Sequence, residues 1–310
     1  MGYDTINSTP EDMPLLLSLL RAMRPKQWSK NAIIFFPFAF TLNEYWRPFS
    51  PDMYRFLGLT TTGFLLFCLL SGAVYLINDV ADVDKDRLHP TKRYRPIASG
   101  QVTTTTALAA AGLLTAVSVG VGFALNPLFG FVAAIYFLAQ VAYTFFLKHV
   151  VLLDVFTIAA GFVLRAVAGA VVIQVAISPW LYICTVLLSL FLGFSKRRHE
   201  LVLLNDQAGN HRQILREYTP ELLEEILSVV TSSTVMAYSL YTFTYEKLPK
   251  NHAMMLTIPF VLYGIFRYLY LVHLRNAGGS PEETLLGDRP FLVNVILWMV
   301  SVVAILYFFR

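Results

Sequence analysis

Residues Phe64 to Gly100 read FLLFCLLSGAVYLINDVADVDKDRLHPTKRYRPIASG. An uncharged apolar run ending at Ile77 passes directly into Asn78, Asp79, Asp82, Asp84 and Asp86, and the basic residues Lys85, Lys92, Arg93 and Arg95 follow within the same stretch. The run has the character of a membrane span, and ionisable groups at the mouth of a span are seldom idle. On a helix, spacings of three, four and seven put Asp79, Asp82 and Asp86 on one face and leave Asp84 off it. Three carboxylates so close repel unless a cation sits among them. A hard divalent ion, Mg²⁺ foremost, supplies that charge and takes phosphate oxygens as further ligands. The plainer alternative is a solvated acidic helix end with ordinary basic partners.

Working outward, the same apolar texture recurs along all 310 residues. The chain is 56% hydrophobic and only 14% charged, with a mean hydropathy of +0.58, outside the range of soluble domains. Apolar stretches near 31–47, 56–78, 104–125, 127–147, 151–173, 179–195, 226–246, 253–274 and 291–309 predict an all-α, polytopic membrane bundle of about nine transmembrane helices. No repeat or separable soluble region interrupts it, so residues 1–310 read as one integral-membrane domain preceded by an interfacial segment over 1–30. No cleavable leader is predicted, because residues 1–14 are polar and acidic. Cys68 and Cys184 fall inside apolar helices and read as packing thiols.

Lys and Arg crowd one set of loops: Arg21, Arg24, Lys26 and Lys30; then Lys85 to Arg95; then Lys148; then Lys196 to Arg216; then Arg275 and Arg289. The other set holds Arg47, Arg55, Lys247, Lys250 and Arg310. The positive-inside rule places the N-terminus and the Asp-rich loop in the cytoplasm and the C-terminus outside, in a plasma membrane. The pI near 9.0 follows from those loops and calls for no nucleic acid. Polar apparatus on one side of the membrane argues against a transporter, which would carry polar groups on both sides and near the midplane.

Four further groups could carry chemistry. His89, Lys92, Arg93 and Arg95 lie close behind the last Asp, stiffened by Pro90 and Pro96, and can grip phosphate oxygens; Asn78 and Lys85 join them as substrate-facing candidates. Tyr143, Lys148 and Asp154 flank a tight helix–helix connection, and Asp154, Gly161 and Arg165 share a face of the next helix. Arg165 stands roughly 16 Å from Asp154 along that axis, near mid-membrane, where a guanidinium needs either a polar cavity or backbone carbonyls. Lys196, Arg197, Arg198, His199 and Glu200 end the sixth helix, as an anion site or as a topology stop signal, with Arg212 and Arg216 beyond them. The basic, amphipathic segment Arg21–Asn31 carries Trp28 as an interfacial anchor, and Lys26 and Lys30 stand at headgroup level. Arg267 is a second intramembrane Arg whose partner the sequence does not name, and Gly287–Pro290 reads as a helix-start turn.

Asn78-Asp79-x-x-Asp82-x-x-x-Asp86, followed by Arg95-Pro96 and Gly100, resembles the first Asp-rich motif of the UbiA superfamily of intramembrane prenyltransferases. That resemblance, spanning essentially the whole chain, implies Mg²⁺ held by Asp79, Asp82 and Asp86 against a diphosphate. It also implies a second acidic motif after the sixth helix, but Ser195–Leu201 here reads SKRRHEL, with Glu200 its only acid. This departure, with RPKQWSKN (24–31), HPTKRYRPIASG (89–100) and LKHVVLLD (147–154), is similar to one branch, the decaprenyl-phosphate phosphoribosyltransferases. The branch implies transfer of 5-phosphoribose from phosphoribosyl pyrophosphate (PRPP) to a polyprenyl phosphate, toward arabinan precursors of the cell wall. Lys26, Lys148 and Arg165 are then candidates for the lipid phosphate, and Arg93, Arg95 and Lys196–Arg198 for the 5-phosphate. The competing expectation is transfer of a prenyl diphosphate to an aromatic or lipid acceptor.

Overall fold

The computed structural model describes residues 14–176, 178–204, 213–275, 279 and 281–310. Among these the chain is helical, with no strand beyond one isolated pairing of Leu42 with Trp46. Twelve α-helices succeed one another: α1 Leu15–Ala22, α2 Phe36–Phe40, α3 Pro51–Ala81, α4 Val83–Leu88, α5 Thr104–Leu125, α6 Pro127–Phe145, α7 Leu153–Val172, α8 Pro179–Leu204, α9 Pro220–Thr244, α10 Ile258–Leu274, α11 Pro281–Gly287 and α12 Arg289–Phe309. Many begin at or beside a proline, whose missing N–H costs nothing in the first turn. Thr103, Thr219 and Asp288 cap α5, α9 and α12 through their side-chain oxygens.

Among the described residues eight stretches are long and apolar enough to cross a membrane: α3, α5, α6, α7, α8, α9, the Ala253–Leu274 stretch that includes α10, and α12. The stretch expected as a first helix at 31–47 takes another form. A 3₁₀-helix over Pro25–Phe35 hands over to the five-residue α2, which stops where the Thr41 hydroxyl turns back to the carbonyls of Pro37 and Phe38. Two other boundaries move. Nothing between Pro179 and Leu204 breaks a helix, so SKRRHEL lies on α8 and not in the loop after it. The expected loop at 79–103 contains α4 and a 3₁₀ turn at Lys92–Tyr94.

The chain forms two compact units, Met1–Asn31 with Leu65–Phe145, and Ala32–Phe64 with Phe146–Arg310. In the first, Ala22 and Met23 pack with Ala73 and Leu76 of α3, Ile97 and Val102 of the connecting loop, and Ala107 and Ala111 of α5. Asn126 turns α5 into α6 by accepting from the backbone N–H groups of Leu128 (2.8 Å) and Phe129 (3.3 Å). In the second, Val155 and Ala159 of α7 join Phe191 and Phe194 of α8, Leu223 and Leu227 of α9, and Tyr268 of α10. At one end of this unit Glu44 receives both Lys247 (2.7 Å) and Arg310, two cations that the sequence assigns to one side of the membrane. Elsewhere in it Gly169 admits the Ile34 carbonyl so closely that any side chain would collide with it. Of the eight spans, α7 and α3 have the most buried cores (61% and 56%), while α5 and α12 have the least (17% each).

Candidate functional site

In the first unit α3 runs to Ala81, pauses at Asp82 and resumes as α4. Backbone bonds from Asp82 N–H to the Asn78 carbonyl (3.0 Å) and from Asp86 N–H to the Asp82 carbonyl (2.8 Å) carry the helical register across the pause. Asp79 and Asp86 therefore still face the same way and are both buried, while Asp84 is exposed and pairs with Arg87 at 3.5 Å. What meets the two buried carboxylates is Arg95. Its Nη1 donates to Asp86 Oδ2 at 2.6 Å and to Asp79 Oδ1 at 3.2 Å, and Arg24 donates to the same Asp79 oxygen.

The loop that carries Arg95 is fixed by its neighbours. Pro96, Ile97 and Ala98 are buried, the Val102 N–H bonds the Pro96 carbonyl (3.0 Å), and Gly100 takes a φ of 84° that favours glycine. Beside the carboxylates lies a cavity of about 220 Å³ whose walls include Arg21, Arg24, Asp79, Thr91, Tyr94 and Arg95. Among the described residues no three His, Cys, Asp or Glu side chains gather closely enough to cage a metal. The expected three-carboxylate face is thus, in this structure, two buried carboxylates bridged by a guanidinium, with Asp82 partly buried at the pause. The donor set nonetheless suits a hard divalent cation. Two desolvated carboxylates demand positive charge, and Arg95 stands where that charge is demanded.

Asn78, at the end of α3, is partly buried, whereas Lys26 and Lys85 are exposed. Arg93 is exposed as well and donates to the Tyr94 hydroxyl at 2.6 Å, so it does not join Arg95 at the carboxylates. Tyr143, near the end of α6, is partly buried and belongs to this unit.

The second unit assembles another polar group. Asp154, in the first turn of α7, is fully buried and accepts from Arg197 Nε at 2.7 Å and from the Tyr218 hydroxyl at 2.8 Å. Arg197, 1% exposed, also reaches Glu200 at 2.7 Å. The Tyr218 oxygen accepts from the Leu152 N–H (2.8 Å), holding the turn in which Leu152 adopts a φ of 65°. Burial, with the bond to Asp154 adding to it and the Leu152 N–H opposing it, pushes the Tyr218 phenol up to about 12, so it stays protonated and donates to the carboxylate.

The run Lys196–Arg198 therefore does not act as one basic patch. Arg197 turns inward, Arg198 pairs with Glu224 of α9 (2.7 Å), and Lys196 is partly buried. Arg165 is buried and donates to the Gly161 carbonyl of its own helix at 2.9 Å, with its guanidinium over the Phe162 ring. Lys148 sits partly buried in a 3₁₀ turn, Leu147–His149. Arg267 finds the partner that the sequence left unnamed, Asp288, through two bonds of 3.1 and 2.8 Å. Arg212 and the side chain of Arg216 lie outside the described residues. Arg21, Arg24, Thr91, Tyr94 and Tyr218 were not among the expected site residues. Arg24, Thr91 and Tyr94 lie in motifs already quoted, but only folding brings them to one cavity.

A membrane-spanning bundle of helices with an Asp-rich site at the end of one span defines a class, and comparison with known proteins agrees. Residues 35–294 match the UbiA prenyltransferase family, and the chain belongs to it. Among its relatives, the decaprenyl-phosphate phosphoribosyltransferase of Mycolicibacterium smegmatis is 32% identical over 301 residues, covering 95% of this chain and 94% of the relative. The enzyme of the same name from Mycobacterium tuberculosis is 31% identical over 99% of this chain and all of its own length. In fold, the chain is similar to a UbiA homolog from Archaeoglobus fulgidus solved with DMAPP and Mg²⁺ (TM-score 0.70, 18% identity, 94% of this chain and 99% of that one).

Proposed function

We propose that the protein transfers 5-phosphoribose from PRPP to a polyprenyl phosphate and releases pyrophosphate. The observation that carries this reading is the cavity in which Asp79 shares its walls with Arg21, Arg24 and Arg95. A prenyl diphosphate is charged at one end only and asks for apolar walls beyond its diphosphate. PRPP carries phosphate at both ends of a polar sugar, and a wall of three guanidinium groups suits it. The phosphoribosyltransferase names of the mycobacterial relatives favour the same substrate.

In the reaction a lipid phosphate oxygen attacks the anomeric carbon of the ribose, and the bond to pyrophosphate breaks with its electron pair leaving on oxygen. The attacking phosphate is already ionised at neutral pH, so no side chain has to remove a proton from it. Asp79, Asp82 and Asp86 would hold Mg²⁺, whose charge offsets that building on the leaving pyrophosphate. Arg21, Arg24 and Arg95 fix the donor, and Thr91 and Tyr94 offer neutral hydroxyl donors on the same wall. The work is positioning and charge stabilisation. Lys26, exposed on the same unit, is the side chain offered to the lipid phosphate; Arg165 is at least partly committed to the Gly161 carbonyl. The site faces the cytoplasm, where PRPP is found, in keeping with the one-sided Lys and Arg loops.

The test is direct. Purified protein in detergent is incubated with polyprenyl phosphate, radiolabelled PRPP and Mg²⁺, and label is sought in the organic phase. Mg²⁺-dependent transfer is the expected result. Transfer from a prenyl diphosphate to an aromatic acceptor, with none from PRPP, would overturn the donor assignment.

A further inference from the structure

Two guanidinium groups of the first unit touch its buried carboxylates and its cavity at once. Asp79 and Asp86 keep only 2% and 5% of their side chains exposed, whereas Arg24 and Arg95 keep 28% and 27%. Arg24 is marked in two further ways. Its backbone takes a φ of 55°, a region that a non-glycine residue holds only where its surroundings dictate it. Its guanidinium also rests on the Tyr75 ring, 4.8 Å from the centroid. A turn held in that conformation delivers the arginine to Asp79 from outside α3.

The charges balance, two against two. An anion that drew the arginines away on its own would leave two buried carboxylates uncompensated. A divalent cation that took the carboxylate oxygens on its own would leave two guanidinium groups facing a cavity with nothing to bind. Each occupant therefore creates the vacancy in charge that the other fills. We propose that Arg24 and Arg95 are exchangeable counter-ions: they hold Asp79 and Asp86 until a divalent cation takes those oxygens, and then turn to the phosphate groups of the incoming donor. Cation and anion then bind as an interdependent pair, each raising the affinity of the other by the same factor. No covalent bond changes in the exchange. The idea rests on the reading of Asp79 and Asp86 as cation ligands, and it assigns both arginines a second partner and an order of events.

A permanent salt bridge would behave in the opposite way, and this makes the exchange testable. If Arg95 competes with the cation, removing it must tighten cation binding. If it only props the carboxylates in place, removing it must loosen them. The experiment uses full-length protein in detergent and Mn²⁺ as the probe, with free Mn²⁺ followed by its paramagnetic resonance. Retention of labelled inorganic pyrophosphate is measured separately at fixed free Mn²⁺. Arg95→Gln is expected to bind Mn²⁺ alone roughly tenfold more tightly than the parent protein, and to retain pyrophosphate roughly tenfold less well, within the usual span of coupling between two sites. Mn²⁺ alone should also raise the unfolding temperature of Arg95→Gln more than that of the parent. Weaker or unchanged Mn²⁺ binding in the variant overturns the proposal. Should Arg95→Gln fail to fold, Arg24→Gln carries the same expectation with a smaller factor, because Arg95 still bridges both carboxylates there. Neither measurement uses PRPP, so tightened Mn²⁺ binding without phosphoribosyl transfer would sink the donor assignment and leave the exchange standing.

Discussion

Both units pair buried aspartates with arginine, yet the two pairs are built for different ends. In the first unit the carboxylates are buried while their arginines stay about a quarter exposed beside a cavity. In the second, Asp154 and Arg197 are both sealed from solvent, and Tyr218 and Glu200 take up further bonding capacity of the pair. An ion pair with one accessible partner can change hands; one with neither partner accessible fixes the helices that carry it. On the proposed reading, exposure of the cation, more than the chemistry of the pair, separates the substrate site from a strut.

The sharpest way to break this contrast is to remove one half of the sealed pair. Asp154→Ala leaves Arg197 charged and buried and should cost about 3–5 kcal/mol of stability, seen as a large drop in the thermal transition in detergent. Joint replacement by Asp154→Leu and Arg197→Met should recover much of it, because the net contribution of a buried pair over apolar packing is small. Next in size is Asp82→Ala in the first unit. It should lower turnover by roughly 10²–10³-fold while leaving the thermal transition near that of the parent, since Asp82 lies partly exposed at a helix pause; a fully active variant would remove the metal role. Tyr218→Phe should cost about 1–3 kcal/mol by stranding the Leu152 N–H and one oxygen of Asp154.

The smallest effect belongs to Asp288, whose carboxyl is held below the ordinary range by its bonds to Arg267, with the Phe291 N–H adding to the effect. A depressed carboxylate contributes above its unfolded value and loses that contribution as pH falls through the folded one. Acid titration of stability should therefore show a modest loss in the parent, below the usual carboxylate range, that Asp288→Asn lacks. A comparable loss in both would mean that Asp288 is not its source.

Much of the fold was legible because hydropathy alone finds spans. Most of the eight long apolar helices fall within a few residues of their expected places, while the one expected at 179–195 runs on to Leu204 and the one expected at 226–246 starts at Pro220. The stretch at 31–47 is helical as far as Phe40 but not as one long α-helix, because apolar content does not distinguish an α-helix from a 3₁₀-helix and the Thr41 hydroxyl turns back on the chain. Asp79, Asp86 and Arg95 could be read as neighbours because helical spacing and a short loop join them. Arg24 could not be placed against Asp79, since 55 residues separate them and no local rule links the two. The inward turn of Arg197 was equally hidden. A run of cations resembles a surface patch until a buried carboxylate from another helix claims one member.

The close fit of Ile34 against Gly169 has a consequence for how the chain is made. Synthesis proceeds from the N-terminus, and the backbone slot offered by Gly169 does not exist until α7 has emerged. The short helical piece at Phe36–Phe40 and the residues before it must therefore wait, with apolar surface uncovered, while several later spans enter the bilayer. Gly169→Ala would leave that waiting segment without its berth. Its first symptom should be an early sensitivity to membrane proteases during biogenesis.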